Sequence, residues 1–231
     1  RANASNFDND GLKKIVEYAH LRNVKIYVTM NTLLTNNELN EALDFAYDLY
    51  NMGIDAVIVQ DLGLAKILHE RIPLLHLHAS TQMTIYNLAG VKRLEALGFT
   101  RVVLARELSL DEIKYICDNT NLEIEVFVHG ALCISYSGQC LMSSMIGDRS
   151  GNRGKCAQPC RLPYTLLKNG TPLKSGYLLS PKDLCTIDYF SKLPNITSLK
   201  IEGRMKSPEY VATVVSTYRK TIDGKTITRR G

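Results

Sequence analysis

The sequence predicts an α/β chain built as a TIM-like (β/α) barrel that is truncated at its N-terminal side, with about six of the eight βα strands present. Three observations carry this expectation. Short runs of β-branched and apolar residues recur along the chain, amphipathic helical stretches lie between them, and nearly every run ends on a polar or titratable residue. Continuous apolar runs of this length suit parallel strands buried on both faces.

The strand runs are VKIYVTMN (24–31), DAVIVQD (55–61), LLHLHAST (74–81), RVVLARE (101–107), IEVFVHG (124–130) and the later ITSLKIEGRM. Before the first, GLKKIVEYAHL places Leu12, Ile15, Val16 and Ala19 on one helical face. Thr35 and Glu38 form a capping-box pattern ahead of Leu39, Ala42, Leu43, Ala46 and Leu49, and Gly53 closes that helix. Ser109 and Glu112 repeat the box before EIKYICDN, while AGVKRLEAL stops at Gly98. His20 and His69 fall in helices and His76 in mid-strand, which makes all three structural. Cys117 on a helical apolar face and Cys185 in a short helix read as buried small hydrophobes.

The rhythm changes after residue 130. A cysteine-rich segment leads into YTLLKNGTPLKSGYLLS, where Asn169-Gly170 suits the tight turn of a β-hairpin. SPKDLCTIDYFSKL predicts a short capped helix, and PEYVATVVSTYRKTI a final helix with Pro208 in its first turn. The expected organisation is a βα-repeat part over 1–130, a cysteine-rich, hairpin and short-helix insertion over 131–195, and a last strand and helix over 196–231. Two further strands would close a barrel, and the sequence is therefore expected to be an internal piece of a longer chain. The alternative is an open doubly wound sheet, but no G-x-G-x-x-G follows any strand.

With 45% hydrophobic and 22% charged residues among 231, the composition is that of a globular chain. No apolar run is long enough to span a membrane, and no signal segment opens the sequence. The formal charge of +5 favours an anionic partner mildly. Six cysteines in this setting read as reduced thiols or metal ligands, in keeping with a cytoplasmic protein.

In either α/β architecture the active site lies beyond the carboxyl ends of the strands. Those ends read Asn31, Gln60-Asp61, His78 through Gln82, Arg106-Glu107, His129 and Glu202-Gly-Arg204. Any one of them is better explained as a cap or a satisfied polar group, yet together they outline a pocket. Asn31 and Gln82 would bind substrate, Arg106 and Arg204 would clamp carboxylates, and His78 and His129 would move protons near neutral pH.

Four cysteines follow as Cys133-x₆-Cys140-x₁₅-Cys156-x₃-Cys160. Only Cys156 and Cys160 have the close spacing of a zinc pair. An iron–sulfur cluster accepts irregular spacing, so spacing alone leaves zinc and iron level. Disulfides are the weakest reading. A lone thiol nucleophile helped by His129 needs fewer cysteines than are present. Arg149, Arg153 and Lys155 interleave with them, either as a solvated basic loop or as phosphate contacts.

EVFVHGALCISYSGQCLMSS, followed by GDRSGNRGKCAQPCRLPY, resembles the signature of the peptidase U32 family, and LKIEGRMKSPEYV resembles its second shared block. The resemblance covers essentially the whole sequence and implies a TIM-like barrel. It implies a [4Fe–4S] cluster on Cys133, Cys140, Cys156 and Cys160, with zinc as the alternative. It further implies prephenate, a small dicarboxylate, as hydroxyl donor, and 5-hydroxyuridine formation in tRNA, or modification of another RNA, as the activity. On that reading Glu202, His129 and His78 assist proton transfer, Arg149, Arg153 and Lys155 contact phosphates, and a second protein of the family is a possible partner. The family's older name implies the alternative, a collagenase-like peptidase, although no H-E-x-x-H or G-x-S-x-G occurs.

Overall fold

The computed structural model describes residues 7–203 and 206–225. Six parallel strands form one curled sheet: β1 (Tyr27–Met30), β2 (Ala56–Val59), β3 (His76–Ala79), β4 (Arg101–Val103), β5 (Glu123–Gly130) and, beside β5, a strand over Ser198–Ile201. All six are the runs expected from sequence. Helices α1 (Asn9–His20), α2 (Leu39–Asn51), α3 (Leu62–Arg71), α4 (Leu88–Ala96) and α5 (Leu110–Asp118) connect them. The fold is therefore α/β with a curled parallel sheet, a half-barrel; among the described residues β1 and the Ser198–Ile201 strand are edges and do not pair with each other.

Alternation along the strands divides the sheet into two faces. Val57, Val59, Leu77, Ala79, Val102, Leu104, Ile124 and Val126 face the helices and join Leu49, Leu64, Leu68, Val91, Leu94 and Ile116 in one core. The other face is concave and polar. There Arg101, 7% exposed, donates from Nε to Glu123 at 2.7 Å and from a terminal nitrogen to Glu125 at 3.2 Å. His78, 4% exposed, sits edge-on to the Tyr27 ring with centroids 4.7 Å apart.

Local chemistry sets the helix ends. The Ser109–Glu112 box is complete, with each side chain bonded to the other's backbone. Thr35 and Glu38 also pair, yet in a turn ahead of the helix, so α2 begins at Leu39 without a side-chain cap. Asp61 caps α3 by accepting from Leu64 N and also accepts from Leu34 N, so one strand-end residue has the structural role that single residues favour.

Residues 131–197 run between two neighbouring strands of the sheet. They contain α6 (Met142–Gly147), the hairpin β6 (Tyr164–Lys168) and β7 (Thr171–Gly176), and the two-residue β8 (Leu184–Cys185), before the parallel strand β9, which is Ser198–Ile201. Asn169 at φ 48° and Gly170 at φ 81° form the tight turn that the Asn-Gly pair predicts. The short helix expected near Cys185 is replaced by β8, antiparallel to the end of β5, and a 3-10 stretch over Ile187–Lys192. Cys185 is accordingly exposed, and not the buried hydrophobe expected. Helix α7 (Pro208–Ile222) follows β9 with the bounds the sequence predicts. No described helix is long and apolar enough to cross a membrane.

Candidate active site at the cysteine-lined cavity

A cavity of about 200 Å³ opens where the carboxyl ends of the strands meet the cysteine segment. Its floor is the concave face: Thr29, Ile58, Val103, Phe127 and Lys200. Asn31, Ser80, Gln82, Arg106 and Glu202 stand on its wall at the strand ends, and Cys133, Cys140, Cys156 and Cys160 close the other side.

Specific contacts seat the cysteine segment. Gly138 lies at φ +83°, and a Cβ there would come within 2.7 Å of the Gln82 carbonyl, so only glycine permits the loop to rest on the turn after β3. Across the same gap Thr84 Oγ1 donates to the Ser137 carbonyl at 2.9 Å and Gln139 Nε2 donates to Thr84 Oγ1 at 3.2 Å. Thr84 holds this position in the left-handed region, at φ 54°, which a β-branched residue rarely adopts. Further along, the Arg153 guanidinium donates to the Leu33 carbonyl and forms an ion pair with Glu38 across 115 residues of sequence. Arg161 donates to the carbonyls of Leu132 and Pro181 and to Ser180 Oγ, which fixes the end that carries Cys160.

The four thiols are unpaired, and Cys133 and Cys156 are exposed. Burial pushes the Cys160 thiol up; Arg161 opposes that, and the sulfurs of Cys133, Cys156 and Cys140 add to it. Mutual repulsion of this kind is relieved when a cationic centre binds the sulfurs, so the donor set suits a group held by thiolates. Among the described residues, however, no three Cys, His, Asp or Glu side chains are grouped to hold a single metal ion.

Arg106 stacks on the Phe127 ring at 3.9 Å and donates to the Ala131 carbonyl at 3.2 Å. Burial pulls its pKa down from the usual arginine value, with Glu202, Cys133 and Glu107 opposing. Its Nε is buried and has no partner. Lys200 was not singled out in the sequence, yet its Nζ lies 2.6 Å from Glu125 Oε1 on the cavity floor. Burial would raise the Glu125 carboxyl, but Lys200 and Arg101 outweigh it and hold the group ionised. Period-two alternation from Ser198 through Lys200 to Glu202 was the available signal for Lys200.

The cavity thus gathers Asn31, Gln82, Arg106, Glu202 and all four cysteines. Two expected proton carriers lie elsewhere. His78 belongs to the concave face but not to the cavity lining; burial, helped by Arg101, pushes its pKa down to about 4. The register shifts between Phe127 and His129 of β5, and His129 lies beside the rings of Tyr210 and Tyr218 of α7, with centroids 6.1 and 5.7 Å away. Neither is therefore placed to meet a ligand in this cavity. Of the basic trio, Arg153 is engaged by Glu38, and Arg149 donates to the Lys155 carbonyl at 3.1 Å. Arg204 lies outside the described residues.

The profile of Peptidase family U32 matches residues 1–229. The chain is 46% identical over 96% of its length to the 23S rRNA 5-hydroxycytidine C2501 synthase of Escherichia coli, of which it spans 34%. It is 40% identical to tRNA hydroxylation protein P1 of Bacillus subtilis, over 96% of this chain and 55% of that protein. To the protein named collagenase from Porphyromonas gingivalis it is 34% identical, over 95% and 56% respectively. The solved structure of the U32 peptidase Mk0906 matches with a TM-score of 0.53 at 14% identity, covering 87% of this chain and 78% of that one, a likeness of fold.

Proposed function

The chain belongs to peptidase family U32, and on that premise we propose that it is the cavity-bearing part of an RNA-modifying protein that hydroxylates C5 of a pyrimidine. The observation that carries this reading is the convergence of four thiols with Arg106 and Glu202 on one cavity at the strand ends. The names of two similar proteins, an rRNA 5-hydroxycytidine synthase and a tRNA hydroxylation protein, support it. Within that class we favour 5-hydroxyuridine formation in tRNA with a prephenate-like dicarboxylate as oxygen donor.

In this reading Cys133, Cys140, Cys156 and Cys160 hold a [4Fe–4S] cluster, which would supply electron transfer at the cavity wall. Arg106, on the cavity lining, would bind a donor carboxylate through its guanidinium, with the Phe127 ring fixing the plane of that group. Glu202 is the carboxyl group on the lining in position to take or return a proton. Asn31 and Gln82 offer amides that can donate to and accept from a base edge or the donor's hydroxyl. Arg149 and Lys155 would contact RNA phosphates, whereas Arg153 would first have to leave Glu38. A second protein of the family is a candidate partner.

Anaerobic purification of the full-length protein followed by iron, sulfide and zinc analysis tests the cluster, with about four irons per chain expected. Nucleoside analysis of tRNA and 23S rRNA from cells lacking the protein tests the reaction, and loss of 5-hydroxyuridine from tRNA is expected. Stoichiometric zinc without iron, together with unchanged RNA and cleavage of gelatin, would overturn the reading in favour of a peptidase.

A further inference from the structure

Residues 149–182 contain seven Lys and Arg and no Asp or Glu. The whole chain has 28 of the former and 23 of the latter, so leaving that stretch out gives 21 against 23 and turns the formal +5 into −2. The excess positive charge of the molecule is therefore gathered on the segment that carries Cys156, Cys160 and the hairpin.

The seven cations fall into two groups. Arg153 pairs with Glu38, Arg161 is held by backbone carbonyls with Asp183 3.8 Å away, and Arg149 donates to the Lys155 carbonyl. These three arginines fix the segment to the body. Lys168 of β6, Lys174 of β7 and the following Lys182 are exposed, as is Lys155, and none of them has an ion pair among the described residues. The hairpin that presents the first two is bare, because every residue from 165 to 175 is exposed. Leu166, Leu167 and Leu173 are each more than half exposed. A two-stranded ribbon alone is only marginally stable in water, and apolar side chains left open on it favour a partner.

The base of this ribbon belongs to the cavity. Tyr164 Oη donates to the Pro159 carbonyl at 2.9 Å, and Pro159 and Cys160 both line the cavity. Tyr177, 67% exposed, follows β7 at the same end, next to Gly176, which pairs with Tyr164. At about 3.3 Å per residue, β6 carries the Asn169-Gly170 turn about 17 Å from that base.

We propose that the hairpin is the arm that holds RNA, with Lys168, Lys174 and Lys182 on phosphates of the strand flanking the target base, and with Tyr177 and the exposed leucines as an apolar surface for its neighbouring bases. The inference rests on the proposed function for the identity of the polyanion. RNA fits better than an acidic protein because the unpaired cations are strung along a ribbon that starts at the cavity, where a strand with one base inside must continue. The main phosphate contacts thereby move from the cysteine loop, whose arginines are occupied, to the hairpin.

Fluorescence anisotropy of the anaerobically purified full-length protein with a short labelled single-stranded RNA of mixed sequence tests this. Lys168→Ala with Lys174→Ala should weaken binding about tenfold at about 0.1 M salt and lower the log–log salt slope by about 1.4, the counterion release from two phosphates of a single strand. Lys66→Ala with Lys114→Ala removes the same charge from α3 and α5 and should change both quantities far less. An equal loss in the two double variants, or an unchanged slope in the first, makes binding a property of net charge and overturns the proposal. If the alanine variant of the hairpin does not fold, Lys168→Gln with Lys174→Gln serves. Polyglutamate at matched charge is expected to displace the RNA poorly, and equal displacement would overturn the assignment in favour of an acidic protein. Binding that depends on the hairpin while tRNA and rRNA prove unmodified in cells keeps the arm and discards the hydroxylation reading. Undiminished binding by the hairpin variant, with the modified nucleoside lost from cells lacking the protein, does the reverse, so the two fail separately.

Discussion

The sheet with its helices and the segment that carries the cysteines are stabilised by different physics. In the first, Leu49, Leu64, Leu68, Val57, Val59 and Val102 are fully buried in one continuous core, and stability follows from apolar area removed from water. In the second, Leu141, Met145, Ile146, Leu162, Leu166, Leu167 and Leu173 are all more than half exposed. That segment is held by the Thr84, Arg153 and Arg161 contacts and by the close approach at Gly138. A rigid sheet therefore presents a wall whose far side is fixed by a small number of polar ties. The cavity forms where the two meet, so its fixed part and its adjustable part are separate in origin.

Breaking the core should give the largest effect. Leu68 of α3 is fully buried, and Leu68→Ala is expected to cost about 2–5 kcal/mol through lost transfer energy and the cavity left behind. Denaturant unfolding followed by far-ultraviolet circular dichroism measures it. Hydrogen exchange should rise in both regions, because the segment has no core of its own. Protection of residues 131–161 that survived the loss would contradict the division.

A second break uses pH and acts on the concave face. His78 is held neutral in the folded state, with its pKa pushed down to about 4 mainly by burial and secondarily by Arg101. Because the folded pKa lies below the unfolded value, the unfolded chain binds more protons, so stability is complete above about pH 6.5 and is lost as pH falls toward 4. The full span corresponds to about 3 kcal/mol as an upper bound. Burial also lowers the His129 pKa, against Asp183, and adds a smaller loss of the same sign. The partly exposed carboxylate of Glu38, held at about 2 by Arg153 and Thr35, begins to lose its contribution only as pH falls through about 4.5, the lower end of this window. Urea midpoints between pH 7 and 4.5 should fall in the wild type and much less in His78→Gln, and equal slopes would remove His78 as the cause.

Legibility in the sequence followed the same division. Everything governed by local period or local turn chemistry was readable: the six strand runs, the Ser109–Glu112 box, the Asn169-Gly170 turn and the bounds of α7. That Arg106 and Glu202 share one end of the sheet was also readable, because strand ends in such folds point one way, whereas the closing of the same cavity by the four cysteines was not. What escaped depended on register. His129 follows a bulge in β5, and a slip of one residue turns a side chain away from the expected face. Lys200 escaped because a lysine inside an apolar run reads as an interruption until the partner strand places Glu125 beneath it. Arg153 read as a phosphate contact because nothing local announces a tie to Glu38.

That tie gives the smallest expected effect on the whole molecule and the most selective one on the segment. Arg153 and Glu38 are both partly exposed, so the pair is screened and adds little to global stability. It nevertheless joins the loop between Cys140 and Cys156 to the turn between β1 and α2, and the same guanidinium also holds the Leu33 carbonyl. Arg153→Ala should leave the urea midpoint near that of the wild type while raising hydrogen exchange in residues 148–158. The exposed thiol of Cys156 should then react faster with a maleimide, and added salt should speed the wild-type reaction toward the variant's. Cys160 should change less, because Arg161 fixes its end of the loop independently. If Cys156 reactivity is the same with and without Arg153, and insensitive to salt, the segment is held by its backbone fit at Gly138 and Thr84, and the adjustable wall of the cavity is as rigid as the sheet.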